Sequence, residues 1–448
     1  MSEKAESTQK YRDALRRLPA LPGANLKWVA ELRDRGSASF GENGFPTTRM
    51  EEWKYTDAGP IARAEFMPIS RSTNGIDSAG VAGFAFRGLP VHRLVFVNGH
   101  YSAQLSRTGP LPDGATVTGI ADALSGNPDL LEPHLGRHAP ADAHGFAALN
   151  AALFPDGALV HLRPGTVVDE PIHVLYILTA DGASGMATPR NLFVAEPNSK
   201  ATVIEHYVST TGSAYLTNTV TEVEVHDNAQ IEHYRLQEES TNAYHVNGLH
   251  VHIDRDARFT SHGIDFGSRL ARNELSSLLA AEGAHCVLNG LYAVTGRQHV
   301  DNHTQIDHAK PSGTSREFYK GVLDGRARSV FHGRVVVHPD AQHSDAQQVN
   351  NNLLLSKDAE ADTKPQLEIY ADDVRCSHGA TVGQLDPDAL FYLRSRAIDE
   401  PTARDLLTYA FAKDVLNRMD LESVRDQLEQ HLASGMLHGR KLKELELV

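Results

Sequence analysis

Cysteine is nearly absent from this chain of 448 residues, which carries only Cys286 and Cys376. Two thiols cannot build a disulfide framework, so the expected compartment is a reducing cytoplasm. Basic charge is also short: 43 Lys and Arg face 57 Asp and Glu, for a net charge of −14. That balance argues against nucleic acid as a partner, because phosphate backbones are bound by a basic footprint. No apolar run approaches the ~20 residues of a membrane span. Residues 1–10 lack the apolar core of a secretory signal. Neither G-x-x-x-x-G-K-[ST] nor a strand-linked G-x-G-x-x-G occurs, so any ATP hydrolysis that serves this chain is assigned to another subunit.

Histidine, by contrast, is abundant: 24 residues, of which 13 fall between His226 and His343. Such richness suggests metal or proton chemistry, but no His-Glu-x-x-His spacing accompanies it. Exposed or structural histidines in a β-rich domain are the plainer reading. The length accommodates two or three domains.

Three regions follow from periodicity. The first, 1–110, reads as a helical domain leading into the first strands. Tyr11, Leu15 and Leu18 have helical spacing until the segment from Pro19 to Gly23 breaks it, and Leu26, Val29 and Leu32 suggest a second helix ending at Gly36. Residues 48–56 mix charge with Trp53 and Tyr55 and suit either a docking segment or a packed helix-to-loop junction.

The second region, 111–397, is the strand-rich core, its character plain from about 150. Short β-branched runs alternate with Gly, Asn and Asp turns. An Ala-x4-His/Asn-Gly frame recurs from Ala257, Ala284 and Ala327, with Ala201 and Ala229 opening looser copies. The five alanines are spaced by 28, 28, 27 and 43 residues. Repeats of roughly 20–50 residues without intervening helices indicate a β-solenoid, here a parallel β-helix. The His/Asn position suits a stacked polar ladder. The alternative is a β-sandwich whose turns resemble one another.

The third region, 398–448, is helical again. Asp399 is placed to cap a helix with Pro401 in its first turn and Leu407, Ala410, Phe411 and Val415 on an apolar stripe. A second helix lies between Met419 and Gly435, with Val424, Leu428 and Leu432 on one side. These helices can cap the solenoid end or present a face to a partner.

The residues that carry chemistry stand at Cys376 and His378. The run Leu367-Glu-Ile-Tyr-Ala-Asp-Asp-Val374 reads as strand, and continuing it places both side chains on one face. Thiolate and imidazole suit iron, zinc or an iron–sulfur cluster, yet clusters take about four protein ligands. The pair is therefore half a site, to be completed by another polypeptide. Arg375 beside the thiol is expected to lower its pKa. A Cys–His nucleophile is disfavoured, because residues two apart on a strand are about 6.6 Å apart at the backbone. Cys286 reads as a small core residue, aligned by the frame with Val203, Phe259 and Ser329. A rival class, a stand-alone β-helix enzyme acting on carbohydrate, would draw on Asp301, Asp307, Glu317, Asp324, Asp340 and Asp345, but their spacing singles out no pair.

The segment from Lys364 to Gly383, containing Arg375-Cys376-Ser377-His378-Gly379-Ala380-Thr381, closely resembles the SufD proteins of the SufB/SufD iron–sulfur scaffold family. Similar stretches are Arg49 to Thr56, Phe96-Val97-Asn98-Gly99, Phe391-Tyr-Leu-Arg-Ser-Arg396 and Ser315-Arg-Glu-Phe-Tyr-Lys-Gly321, so the resemblance spans essentially the whole chain. It implies a right-handed parallel β-helix flanked by N-terminal and C-terminal helical domains. It also implies a non-enzymatic, cytoplasmic scaffold in a complex with a SufB-like subunit and a SufC-like ATPase. Subunits of that family pair through the ends of their β-helices, where clusters are thought to form. By motif, His378 would be the principal ligand on this side, with Cys376 beside it. No cofactor would be permanently bound, the cluster being transient. Asp399, Pro401, Arg404, Leu407 and Phe411 would belong to the helices that dock the ATPase. The isolated chain would form a homodimer. The further cysteines expected of SufB are missing.

Overall fold

The computed structural model describes residues 8–11, 20–71, 75–179 and 184–435. From Ala158 onward the chain winds between two sheets. One contains Ala158–Leu162, Arg190–Ala195, Leu216–Val225, Tyr244–Ile253, Leu270–Leu279, His299–His308, Arg328–Val337 and Glu360–Ile369. The other contains Ile172–Leu178, Lys200–Ser209, Gln230–Glu238, Arg258–Asp265, His285–Val294, Thr314–Leu323, Asp345–Leu354 and Arg375–Gly383. Each of these strands pairs in parallel with its counterpart one coil away, which makes the molecule a parallel β-solenoid with helices at both ends of the sequence.

The coil repeat is set at one corner. Asn198, Asn228, Asp256, Gly283, Ser312 and His343 all have positive φ, a conformation that Gly, Asn and Asp tolerate best. Each donates its backbone N–H to a carbonyl of the next coil, at Asp227, Arg255, Glu282, Pro311, Gln342 and Asp373 respectively. Ala229, Ala257 and Ala284 directly follow these corners and stack in register, as the frame predicts. Two members of the frame do not fit. Ala201 pairs with Ile231, two places away from Ala229, and Ala327 precedes a strand of the opposite sheet. The polar ladder is short: Asn289 stacks on His262 (Nδ2 to Nδ1, 3.5 Å), and the His262 ring lies 4.7 Å from that of Tyr234.

Cys286 is fully buried in the core between the sheets, as expected, and receives a hydrogen bond from Ser277 Oγ at 3.3 Å. Its in-register neighbours are Phe259 and Ser315; Val203 and Ser329 lie in other columns.

At the N-terminal side the helix Lys27–Asn43 runs straight through Gly36, which does not end it. The glycine has another role. A Cβ there would lie 2.6 Å from the Ala148 carbonyl and 2.8 Å from Ala152 N, so its absence lets this helix lie against the fully buried helix Gly145–Leu153. Tyr11 packs on Phe40 and Phe45, while Leu15, Leu18 and Pro19 lie outside the described residues. Residues 48–56 form a packed junction: Trp53 is buried against Phe146, with the Arg272 guanidinium 4.2 Å from its ring. Phe96 and Val97 end a strand, and Asn98 and Gly99, both at positive φ, turn it into a hairpin.

The C-terminal helices do not cap the solenoid. Glu400–Leu416 and Glu422–Gly435 lie along the outer face of the second sheet, where Tyr409, Ala412, Val415, Val424, Leu428 and Leu432 meet Ile264, Leu291 and Val322. Asp399 caps the first helix by accepting from Thr402 N at 3.0 Å, and Pro401 is in its first turn. The expected stripe is rotated: Ala410 is exposed, Leu407 and Phe411 are half-buried, and Ala403, Thr408 and Ala412 carry the buried face with Val415.

Gly36→Ala is expected to destabilise the chain by about 1–3 kcal/mol through overpacking. The check is the denaturant midpoint; a midpoint unchanged from the parent would contradict the close-approach role.

Candidate functional site at the open end of the solenoid

The site begins with a corner. The strand expected over 367–374 is broken: Glu360–Ile369 ends the first sheet, residues 370–374 turn, and Arg375–Gly383 begins the last strand of the second. Cys376 and His378 therefore share one strand and, two apart, one face. That face points along the columns of the interior. Cys376 pairs with Ala346, itself above Ser315 and Cys286. His378 pairs with Gln348, above Glu317 and Leu288.

Among the described residues no coil follows to cover these columns. Cys376 is partly buried against the main core, and His378 is exposed. The terminal strands, the corner between them and the helix that follows carry large apolar side chains open to solvent: Ile369, Tyr370, Val382, Phe391 and Tyr392, with Phe391 74% exposed. The helix Pro387–Ser395 that carries the last two has no buried residue. An apolar surface of this kind rimmed with polar groups is the signature of an interaction site.

The two terminal strands differ in a telling way. Glu360–Ile369 carries Glu360, Asp362, Lys364, Glu368 and Pro365, the charges and proline that protect sheet edges from pairing. Arg375–Gly383 has one charge and no proline. Its free edge is unprotected and suits addition of a strand from another chain.

The electrostatics correct one expectation. The Cys376 thiol is raised, not lowered: partial burial is the main cause, and the Asp345 carboxylate adds to it against a contact with the Ala346 backbone. Arg375, next along the strand, points to the opposite face. At neutral pH the side chain is thus a protonated thiol. Below His378, Gln348 Nε2 donates to Glu317 Oε2 at 2.5 Å, and burial pushes the Glu317 carboxyl up to about 7. The arrangement places one imidazole and one thiol on the same uncovered face of the terminal strand.

Of the proposed docking residues, Asp399 is used as a helix cap, and Arg404 donates to the Leu355 carbonyl at 3.1 Å. Lys320 Nζ lies 4.3 Å from the Phe411 ring and bonds its carbonyl. Pro401 is exposed and Leu407 half-buried. The acids considered for carbohydrate chemistry do not converge. Asp301 is engaged by Arg272 and Thr56, Asp345 by Arg316, and Glu317 is inside the core. Residues missed by the sequence reading are Tyr370 and Val382, single apolar side chains whose exposure depends on the absence of a further coil.

Among the described residues no helix is long and apolar enough to cross a membrane. The family model for the SufBD core domain of SUF system FeS cluster assembly matches residues 176–411, and that for the SufBD protein N-terminal region matches 5–174. An iron–sulfur cluster assembly SufBD family protein of Synechocystis sp. is 32% identical over 440 residues, covering 96% of both chains. The iron–sulfur cluster assembly protein SufD of Escherichia coli is 32% identical over 401 residues, 89% of this chain and 91% of its own. SufD of Bacillus subtilis is 30% identical over 336 residues, 73% of this chain and 75% of its own.

Two outcomes are expected in the folded protein. Alkylation followed by mass spectrometry should modify Cys376 and spare Cys286, whose thiol burial pushes up to about 12; the Cys376 rate should keep rising above the pH at which an ordinary thiol levels off. Equal labelling of both would refute the burial assignment. For Glu317, the folded pKa lies above the ordinary 4.5. The native state thus binds the extra proton, and this group's contribution falls by about 3 kcal/mol as pH rises from 4.5 to 7. Glu317→Gln should remove that loss, measured as the difference in stability between variant and parent across the same window.

Proposed function

Because the chain belongs to the SufBD family of SUF-system iron–sulfur cluster assembly proteins, we propose that it is the SufD-type scaffold subunit of a cytoplasmic assembly complex. The observation that carries this reading is the unprotected strand Arg375–Gly383 at the open solenoid end, which holds Cys376 and His378 on one uncovered face and is followed by a helix with exposed Phe391 and Tyr392. A SufB-like solenoid meets this end and supplies the remaining cluster ligands. His378 is the principal ligand on this side and Cys376 its neighbour; the cluster is cargo, made and passed on. In isolation the same end pairs with a second copy.

The C-terminal helices, with Pro401, Leu407 and Phe411 on or near the surface, form the dock for a SufC-like ATPase, while Asp399 and Arg404 hold the helix in place. The division 1–110, 111–397 and 398–448 then assigns the N-terminal support, the scaffold and the dock. When the ATPase closes on ATP, it draws the helical regions of the two subunits together and strains the junction. That strain opens the ligands to iron and sulfide. ATP hydrolysis, sulfur delivery and electron supply belong to other components, and the chain is not itself an enzyme.

In an anaerobically reconstituted complex, His378→Ala should reduce cluster yield to background while leaving the subunit composition unchanged. Iron and acid-labile sulfide counted per complex, beside size-exclusion chromatography, provide the check. Full yield with the variant would refute the ligand role, whereas loss of assembly would move His378 to the interface.

A further inference from the structure

A second set of ligand-type side chains stands on the outer face of the first sheet. The strands His299–His308 and Arg328–Val337 pair in register, which puts His303 directly beside His332, their rings 4.9 Å apart and nearly perpendicular. Glu52 reaches over both from the turn Glu51–Trp53, itself anchored by buried Trp53. Its Oε2 lies 3.4 Å from His303 Nδ1 and 3.5 Å from His332 Nδ1. Ligand atoms of the three residues lie within 4.8 Å of one another.

We propose that Glu52, His303 and His332 bind a divalent first-row transition-metal ion of the zinc or ferrous class. Three features support this. The first is the orientation of His303. Its Nε2 lies 3.0 Å from Asp301 Oδ1, and the other oxygen of that carboxylate is held by Arg272 at 2.5 Å. With Nε2 turned to Asp301, Nδ1 is the ring atom presented to Glu52, the carboxylate–histidine arrangement that orients metal ligands. A proton or a metal cation between Nδ1 and the Glu52 carboxylate satisfies both groups.

The second is the donor set. Two imidazoles and one carboxylate are the borderline ligands that zinc and ferrous ions take, whereas calcium and magnesium favour oxygen alone. The third is space. The three residues line a cavity of about 640 Å³ shared with Arg272, Glu274 and Thr304, so open coordination positions can hold water or a small ligand. The ligands come from widely separated parts of the sequence. A metal ion here fastens the 48–56 junction to the solenoid, and it stands apart from Cys376 and His378, which belong to the other sheet.

The test uses the full chain, stripped with chelator and titrated anaerobically with Co²⁺ alone. One equivalent should develop visible d–d absorption with no thiolate charge-transfer band, and Zn²⁺ should displace it. Glu52→Gln, in which the altered side chain is exposed, should weaken Co²⁺ binding at least tenfold. His303→Ala/His332→Ala should abolish it. Cys376→Ala and His378→Ala should leave it unchanged, which separates this site from the proposed assembly junction. Zn²⁺ should raise the melting temperature of the parent and not of Glu52→Gln. Absence of a stoichiometric Co²⁺ spectrum would overturn the proposal, since the trio would then be bridged by a proton. Binding that persists in the double histidine variant, or disappears in Cys376→Ala, would overturn it too.

Discussion

The structure depends on the parallel hydrogen-bonded ladder that stacks each coil in register on the one before. A parallel ladder fixes which residue lies over which, and a slip of one place would exchange the buried and outer faces of a strand. Everything else is placed by that constraint. It aligns Cys376 over Ala346 and His378 over Gln348, and it sets His303 beside His332. The corner residues with positive φ hold the register by sending one N–H to the next coil.

The interior is more polar than an all-apolar stack. Glu205 accepts hydrogen bonds from Tyr207, Thr221 and His233 deep between the sheets, and Arg190 pairs with Glu222 at 2.7 Å with both side chains essentially inaccessible. Groups of this kind are tolerated because each finds partners, and separating one from its partner leaves an uncompensated charge. Most of the abundant histidines are used in this way, paired with carboxylates such as Glu224, Glu238 and Glu239. The plainer view of histidine holds for these, and the Glu52 group is the exception.

The solenoid was legible in the sequence because its corners repeat, yet the alanine frame caught only half of the signal. The invariant is a conformation, left-handed backbone at the corner, and it is met by Asn, Asp, Gly, Ser and His in turn. Residue identity therefore varies where geometry does not, and Ala201 and Ala327 matched the frame without sharing the register. The shared face of Cys376 and His378 was readable from period-two alternation alone. The raised Cys376 thiol was not, since it depends on burial and on Asp345 one coil away. Nor was the His303–His332–Glu52 group, whose members meet only once the coils are stacked and the N-terminal junction is laid over them. Gly36 misled for a related reason: a glycine inside a helical pattern reads as a stop, and only the neighbouring helix shows that it is a point of contact.

The ladder also acts as a ruler. Neighbouring strands are about 4.8 Å apart, so the open end advances in fixed steps as coils are added. The helix Glu400–Leu416 rests on His285–Val294 and Thr314–Leu323, and in the same sheet Thr314–Leu323 lies two steps from Arg375–Gly383. The distance from helix to open edge is thus about 10 Å along the ladder, a length counted in strands and not tuned by side chains. Insertion or loss of a whole coil between them would preserve every local contact and still put the two surfaces out of step.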